Sequence, residues 1–225
     1  LVIKKIIRSS ISDLICKGVA PKYYFISGAG NKNSFTKSNL KKIFKSLSQE
    51  QKKYNISLGG GDTVFSKKLI FTIITIGYSK KIIPRNNAKL NDDIYVTGNL
   101  GDSFIGLNIL KKKFKVKNDI KKYFENKFYH PSLHLKFSKK LSKFANTSID
   151  ISDGLVTDLE KLINKQKLSF KLFIDRVPIS SQLKKLISLK KIKKELCVSN
   201  GDDYQILFTA RPSKKRIIIN IAKSL

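Results

Sequence analysis

The chain is strongly basic, with 46 Lys plus Arg against 16 Asp plus Glu and a formal net charge of +30. Even so, three aspartates crowd into one stretch, SIDISDGLVTDLEKLINK, as Asp150, Asp153 and Asp158. Others fall at the expected ends of elements, most of them close to Gly, Ser or Thr: Asp13, Asp62, Asp92, Asp93, Asp102, Asp202 and Asp203. Carboxylates placed this way suit a hard-oxygen metal site, because Mg2+ takes a few carboxylates and leaves its other positions to water and substrate phosphate. Asp150 and Ser152 can share one face of a strand end, and the turn after them can bring Asp153 alongside. Capping of the following helix accounts equally well for Asp153. Asp158 falls inside that helix and is expected to be a solvated surface acid.

A second stretch, GGGDT at 59–63, lets a backbone come close to a phosphate and offers Asp62 to a metal bridging those phosphates. It lacks the Gly-Lys-Ser/Thr of a P-loop and the GxGxxG of a dinucleotide fold, and a glycine-rich hairpin turn explains it just as simply. VTGNLGDS at 96–103 and SNGDDYQILF at 199–208 carry the same ambiguity. Asp102 is expected to cap a helix, and Asp202 and Asp203 to lie in a turn before a strand. His130 and His134 stand in no catalytic pattern and read as structural or surface residues.

Helices and strands must alternate to hold these residues. Residues 2–17 have a helical apolar period through Ile3, Ile7, Ile11, Leu14 and Ile15, with Gly18 as its stop. A strand is expected at 23–27, then a helix carrying Leu40, Ile43, Phe44 and Leu47, a strand running into GGGDT, and a long β-branched strand at 69–79. The segment around 80–93 has Pro, Asn and charge without apolar period, so a junction divides domain 1–81 from domain 82–225. Beyond it the pattern gives a strand at 93–98, helices at 102–114 and 132–145, a strand end entering a helix at 151–165, strands at 170–174 and 204–210, and a final helix at 213–225.

Composition narrows the function classes. A hydrophobic fraction of 41% in 225 residues supports a packed core. No apolar run approaches the ~20 residues that span a bilayer. Two cysteines, Cys16 and Cys197, give no disulfide framework and point to a cytoplasmic setting. The lysines are spread along the whole chain rather than gathered into a patch with interleaved aromatics. That distribution speaks against a basic, non-catalytic nucleic-acid-binding protein, although its charge keeps that alternative open. The chain begins at Leu1 within an apolar pattern and contains no Met, which reads as a fragment truncated at both ends and expected to be inactive alone.

Five collinear blocks carry a closer resemblance: SISDLICKGVAPKYYFIS, SLGGGDT, RNNAKLNDDIYVTGNLGDSFIGL, IDISDGLVTDL and NGDDYQILFT. Together they resemble the thiamine-monophosphate kinases, within the superfamily of aminoimidazole ribonucleotide synthetase and selenophosphate synthetase. The resemblance implies a two-domain fold with an α/β first domain and an α+β second domain, with ATP between them. It implies ATP-dependent phosphorylation of thiamine monophosphate assisted by Mg2+, in a homodimer, with no covalent nucleophile. A sister ATP-dependent synthetase is the alternative within the superfamily. By position it implies metal ligands at Asp13, Asp62, Asp150 and Asp153. ATP contacts fall at Gly61, Asp62, Arg85 and Ser152, and a substrate-binding acid at Asp202. Family members usually read Gly-Gly-Glu-Asp-Tyr where this chain has NGDDY, so Asp202 is one methylene shorter than the usual Glu.

Overall fold

The computed structural model describes residues 1–190 and 192–225. Helix α1 (Val2–Ile15) buries Ile3, Ile7, Ile11 and Ile15, a repeat of four that keeps one apolar stripe on one face. It gives way at Gly18, whose φ of +73° is the left-handed conformation that favours glycine. The chain then enters β1 (Ala20–Gly30), longer at both ends than the expected 23–27. Helix α2 (Lys37–Tyr54) starts where Thr36 accepts from the Asn39 N–H and stops at Asn55, left-handed at φ 52°. Strands β2 (Ser57–Phe65) and β3 (Ile70–Tyr78) complete a sheet in the order β2-β1-β3, with β1–β2 parallel and β1–β3 antiparallel.

The stripe of α1 packs on Tyr24 of β1 and on Leu47, Tyr54 and Ile56 from the α2 side. Arg8 ties the two helices together, its Nε and Nη2 each 2.8 Å from a Glu50 carboxylate oxygen in a buried, bidentate pair. The other face of this sheet is bare. Phe25 and Ile74 are cross-strand partners there and are 38% and 59% exposed, with Tyr23 opposite Ile76 beside them.

After the junction come β4 (Asp93–Val96), α3 (Asp102–Leu110), α4 (Asn118–Tyr129), α5 (Leu135–Ser138), β5 (Thr147–Asp150), α6 (Leu155–Ile163), α7 (Ser181–Lys190), α8 (Lys194–Val198), β6 (Ile206–Ala210) and α9 (Lys215–Lys223). The second sheet runs β4-β6-β5, with both neighbours antiparallel to β6. Every residue of β6 is buried. Ile206 and Phe208 face a cluster with Phe137, Leu141 and Phe144, while Leu207 faces the opposite cluster with Leu155, Leu159 and Leu162. Alternate side chains of one strand therefore serve two cores.

Three expectations are corrected. Residues 132–145 form the short α5 and a 3-10 turn at Leu141–Lys143 rather than one helix, and Phe137 and Phe144 still meet with ring centroids 5.6 Å apart. Residues 170–174 form no strand; only a 3-10 turn at Ile174–Arg176 follows them. The helix expected at 102–114 stops at Leu110, just before Lys112 turns left-handed at φ 59°. No described helix is long and apolar enough to cross a membrane.

Candidate active site

Strand β5 delivers Asp150 to its C-terminal end, where the chain turns through 151–154 into α6. The turn is held from inside. Asp158 is fully buried, and its Oδ2 accepts from the backbone N–H groups of Ser152 (2.9 Å), Asp153 (2.9 Å) and Gly154 (3.1 Å). Ser152 and Asp153 lie just ahead of the cap residue Gly154, so Asp158 holds the entering chain onto the first turn, where a carboxylate also suits the helix dipole. The expectation of a solvated Asp158 is thus overturned: a residue inside a helix by sequence lies in its first turn and faces back onto the entering chain. Asp153 does not cap α6 either. Gly154 occupies that position, and Asp153 stays exposed in an ion pair with Lys161.

The loop 199–205 presses on this turn. The Asp202 N–H donates to Ser152 O (3.0 Å) and the Tyr204 N–H to Ile151 O (2.8 Å). A Cβ on Gly201 would come within 1.8 Å of Ser152 O, so the close approach requires glycine. Asp202 itself is left-handed at φ 70°, and its Oδ1 accepts from the Tyr204 hydroxyl at 3.1 Å and pairs with Lys5 Nζ at 2.9 Å.

From the first sheet, α1 brings Ser12 and Asp13 to Asp150. Ser12 Oγ donates to Asp150 Oδ2 at 3.1 Å. Burial, reinforced by the charge of Asp13, pushes the Asp150 carboxyl up to about 6. Burial raises Asp13 too, opposed by the cations Arg85 and Lys17. Lys17 is pulled down by its own burial and donates to Ser148 O. The buried Asp150 and the exposed Asp13, at the meeting of α1 and β5, act on one another through their charges, and a divalent cation would stabilise both in charged form. The donor set therefore fits Mg2+ as far as two oxygen ligands. Among the described residues no group of three or more His, Cys, Asp or Glu converges as a metal cage.

Among the described residues Gly61 and Asp62 make no hydrogen bond or ion pair with this pair, and Arg85 acts on it through its charge beside Asp13. GGGDT forms part of β2 and is no hairpin turn: Gly61 pairs with Ile26, and a Cβ on it would meet Ile26 O at 1.9 Å. Its glycines are thus accounted for by the close β1 backbone and by the Phe25 ring over Gly59. Asp62 is exposed on the strand, its Oδ1 accepting from the Thr63 N–H at 2.7 Å. Arg85 is exposed in the junction.

Asp102 does not cap α3 but lies within its first turn, accepting from Ser180 Oγ (2.6 Å) and Tyr123 Oη (2.8 Å). Asp203, read above as part of a plain turn, is buried and accepts from the Gly101 N–H (2.7 Å) and the Ser103 N–H (3.3 Å), and burial pushes its carboxyl up to about 7. It fastens the NLGDS loop to the 199–205 loop. Both histidines make structural contacts, His130 to Asn126 and His134 to Gln205. Lys5 and Ser12 were not among the expected site residues. Their signal is helical spacing, since positions 5, 9 and 12 share a face with the SISD aspartate just beyond.

Comparison with known proteins identifies the family. The family model described as AIR synthase related protein, N-terminal domain, matches residues 4–79. The chain is 30% identical to thiamine-monophosphate kinase of Nitrosopumilus maritimus over 222 residues, covering 99% of this chain and 70% of that one. It is 36% identical to thiamine-monophosphate kinase of Buchnera aphidicola subsp. Acyrthosiphon pisum over 221 residues, covering 95% of this chain and 65% of that one. The solved structure of AaThiL complexed with AMPPCP and TMP superposes with a TM-score of 0.87 at 26% identity, covering 95% of this chain and 71% of that one. The chain thus spans about two thirds of the length of the curated relatives it matches.

Proposed function

The chain belongs to the thiamine-monophosphate kinase family, and from that membership we propose that it carries the nucleotide and metal machinery for ATP-dependent phosphorylation of thiamine monophosphate. The observation that carries the reading is the Asp13–Asp150 pair, built where α1 of the first sheet meets β5 of the second. Support comes from the AaThiL complex with AMPPCP and TMP, which shares this fold.

Transfer of the γ-phosphoryl group forms a bond from a phosphate oxygen of thiamine monophosphate to phosphorus and breaks the bond to the bridging oxygen of ATP, which leaves with the electron pair as ADP. Two anions must approach, so the work is positioning and charge neutralisation rather than covalent catalysis. Asp13 and Asp150 would hold Mg2+, which when bound neutralises phosphate charge. Ser12 orients Asp150, and Arg85 and Lys17 add positive charge beside Asp13. The buried Asp158 keeps the 151–154 turn fixed, so that Ser152 and Asp153 are presented without reorganisation. Gly61 and Asp62 would meet nucleotide from β2, and Asp202 would meet the acceptor.

We place the domain division at 81/82, in keeping with one sheet on either side of it, and the bare apolar face around Phe25, Ile74 and Ile76 suits a homodimer contact. We place the protein in the cytoplasm, in keeping with its free, buried cysteines. The test is an assay of the protein from its whole reading frame with ATP, Mg2+ and thiamine monophosphate. Thiamine diphosphate and ADP in equal amounts are expected, and turnover of a different acceptor with none of this one would reassign it to a sister synthetase.

A further inference from the structure

Lys5 is a cation of α1 with no part in the mechanism above. Its side chain is only 14% exposed, and its Nζ is buried without a hydrogen bond of acceptable geometry. The ammonium reaches across from the first sheet's helix to the loop 199–205, where it stands 2.9 Å from Asp202 Oδ1. The Phe128 ring covers it, 3.2 Å from Nζ to the centroid, and the Tyr204 ring lies 5.8 Å away. Burial draws its pKa down, while the charges of Asp202 and Asp203 draw it back up. A lysine buried this far is costly unless it serves a partner.

That partner is Asp202, 31% exposed on its side chain and held in a left-handed backbone. Both recorded contacts of its carboxylate, from Lys5 and from the Tyr204 hydroxyl, fall on Oδ1. Among the described residues Oδ2 has none, so one oxygen is anchored and the other is left for a ligand. Asp203 follows it in the chain and Asp150 lies near Tyr204, so without Lys5 the Asp202 charge would face other acids with no compensating cation.

We propose that Lys5 is a positioning residue for the acceptor substrate, anchoring Asp202 by one oxygen so that the other meets the cationic ring of thiamine monophosphate. The inference rests on the phosphotransferase reading above and on Asp202 as the acceptor-binding acid. It also accounts for a shorter acid at this place, since an Asp reaches less far than a Glu and depends more on being held.

The test is a double-mutant cycle in the protein from its whole reading frame, with Lys5→Met, Asp202→Asn and the pair, reading KM for thiamine monophosphate, KM for ATP, kcat and Tm. Each single change should raise KM for thiamine monophosphate at least about 10-fold, because removing one member of a largely buried ion pair leaves the other charge unpaired. KM for ATP should move by less than about twofold, and the double variant should be no worse than the poorer single within about twofold, because both remove one arrangement. Lys5→Arg, which keeps the charge, should recover most of the loss. Effects of the two changes that multiply, an equal rise in KM for ATP, an unchanged KM in Lys5→Met, or a loss of activity in both Lys5 variants that only follows a lower Tm would each overturn the role of Lys5. An unchanged KM in Asp202→Asn would overturn the assignment of Asp202 and this inference with it. A wild-type protein that turns over no thiamine monophosphate would instead refute the proposed function.

Discussion

The two Gly-Asp stretches of this chain use the same vocabulary in opposite physical states. IDISDG is locked: its turn amides are taken by the buried Asp158, its outer side is pressed by the 199–205 loop, and Asp150 is fixed by Ser12. GGGDT is open: it lies on an exposed edge strand, and Asp62 is bonded only to its neighbouring N–H. Elements from different parts of the chain converge on Asp150, whereas Asp62 would meet nucleotide from a single open strand.

The largest expected effect tests the lock. Asp158→Ala should leave three turn amides without partners and cost about 3–5 kcal/mol of stability, while Asp62→Asn should change stability by less than about 0.5 kcal/mol. Urea unfolding of the two variants measures both. Equal stabilities would show that the two stretches do not differ as described.

Next in size is the burial of Asp150. Its carboxyl titrates near 6 in the folded protein against an ordinary 3.8, so between those values the folded state binds more protons than the unfolded one. Without divalent metal, stability should therefore fall as pH rises from about 4 to 6, and the raised Asp203 should extend the fall toward 7. Asp150→Asn should remove the lower part of that slope and leave the metal-free protein more stable at neutral pH by on the order of 1–3 kcal/mol. Thermal melts in a chelator across this range decide it; a slope unchanged by the substitution would contradict the account.

A smaller effect is expected on the bare face of the first sheet. Ile74→Glu should weaken self-association at least about 10-fold with little loss of monomer stability. Sedimentation at several concentrations would show it, and an unaltered dimer would move the interface elsewhere. Smallest is Asp153→Ala, which breaks an exposed pair with Lys161 and should cost no more than about 1 kcal/mol of stability.

Much of this was legible in the sequence. The α1 stripe, the β-branched β3 and the five collinear blocks locate both sheets and most of the candidate residues, because local periodicity and motif order survive compositional bias toward lysine. The roles of the buried acids were not legible. Asp158 and Asp203 look like surface acids to any pattern, since nothing local shows which backbone amides need an acceptor. The short α5 and the missing strand at 170–174 failed for a related reason: apolar spacing records which residues are buried, not whether a neighbouring strand is there to pair. Lys5 was hidden because one lysine among so many carries no signal until its partner across the fold is known.

Asp13 and Asp150 are proposed as the cation-dependent nucleotide site. Calorimetric titration of the protein with AMPPCP, with and without Mg2+, in the wild type and in Asp150→Asn tests it most directly. The wild type should bind only with Mg2+, and Asp150→Asn should lose at least about 10-fold in affinity while its circular dichroism stays native-like and its melting temperature is no lower than that of the wild type. Wild-type affinity in Asp150→Asn, or binding that ignores Mg2+, would contradict it.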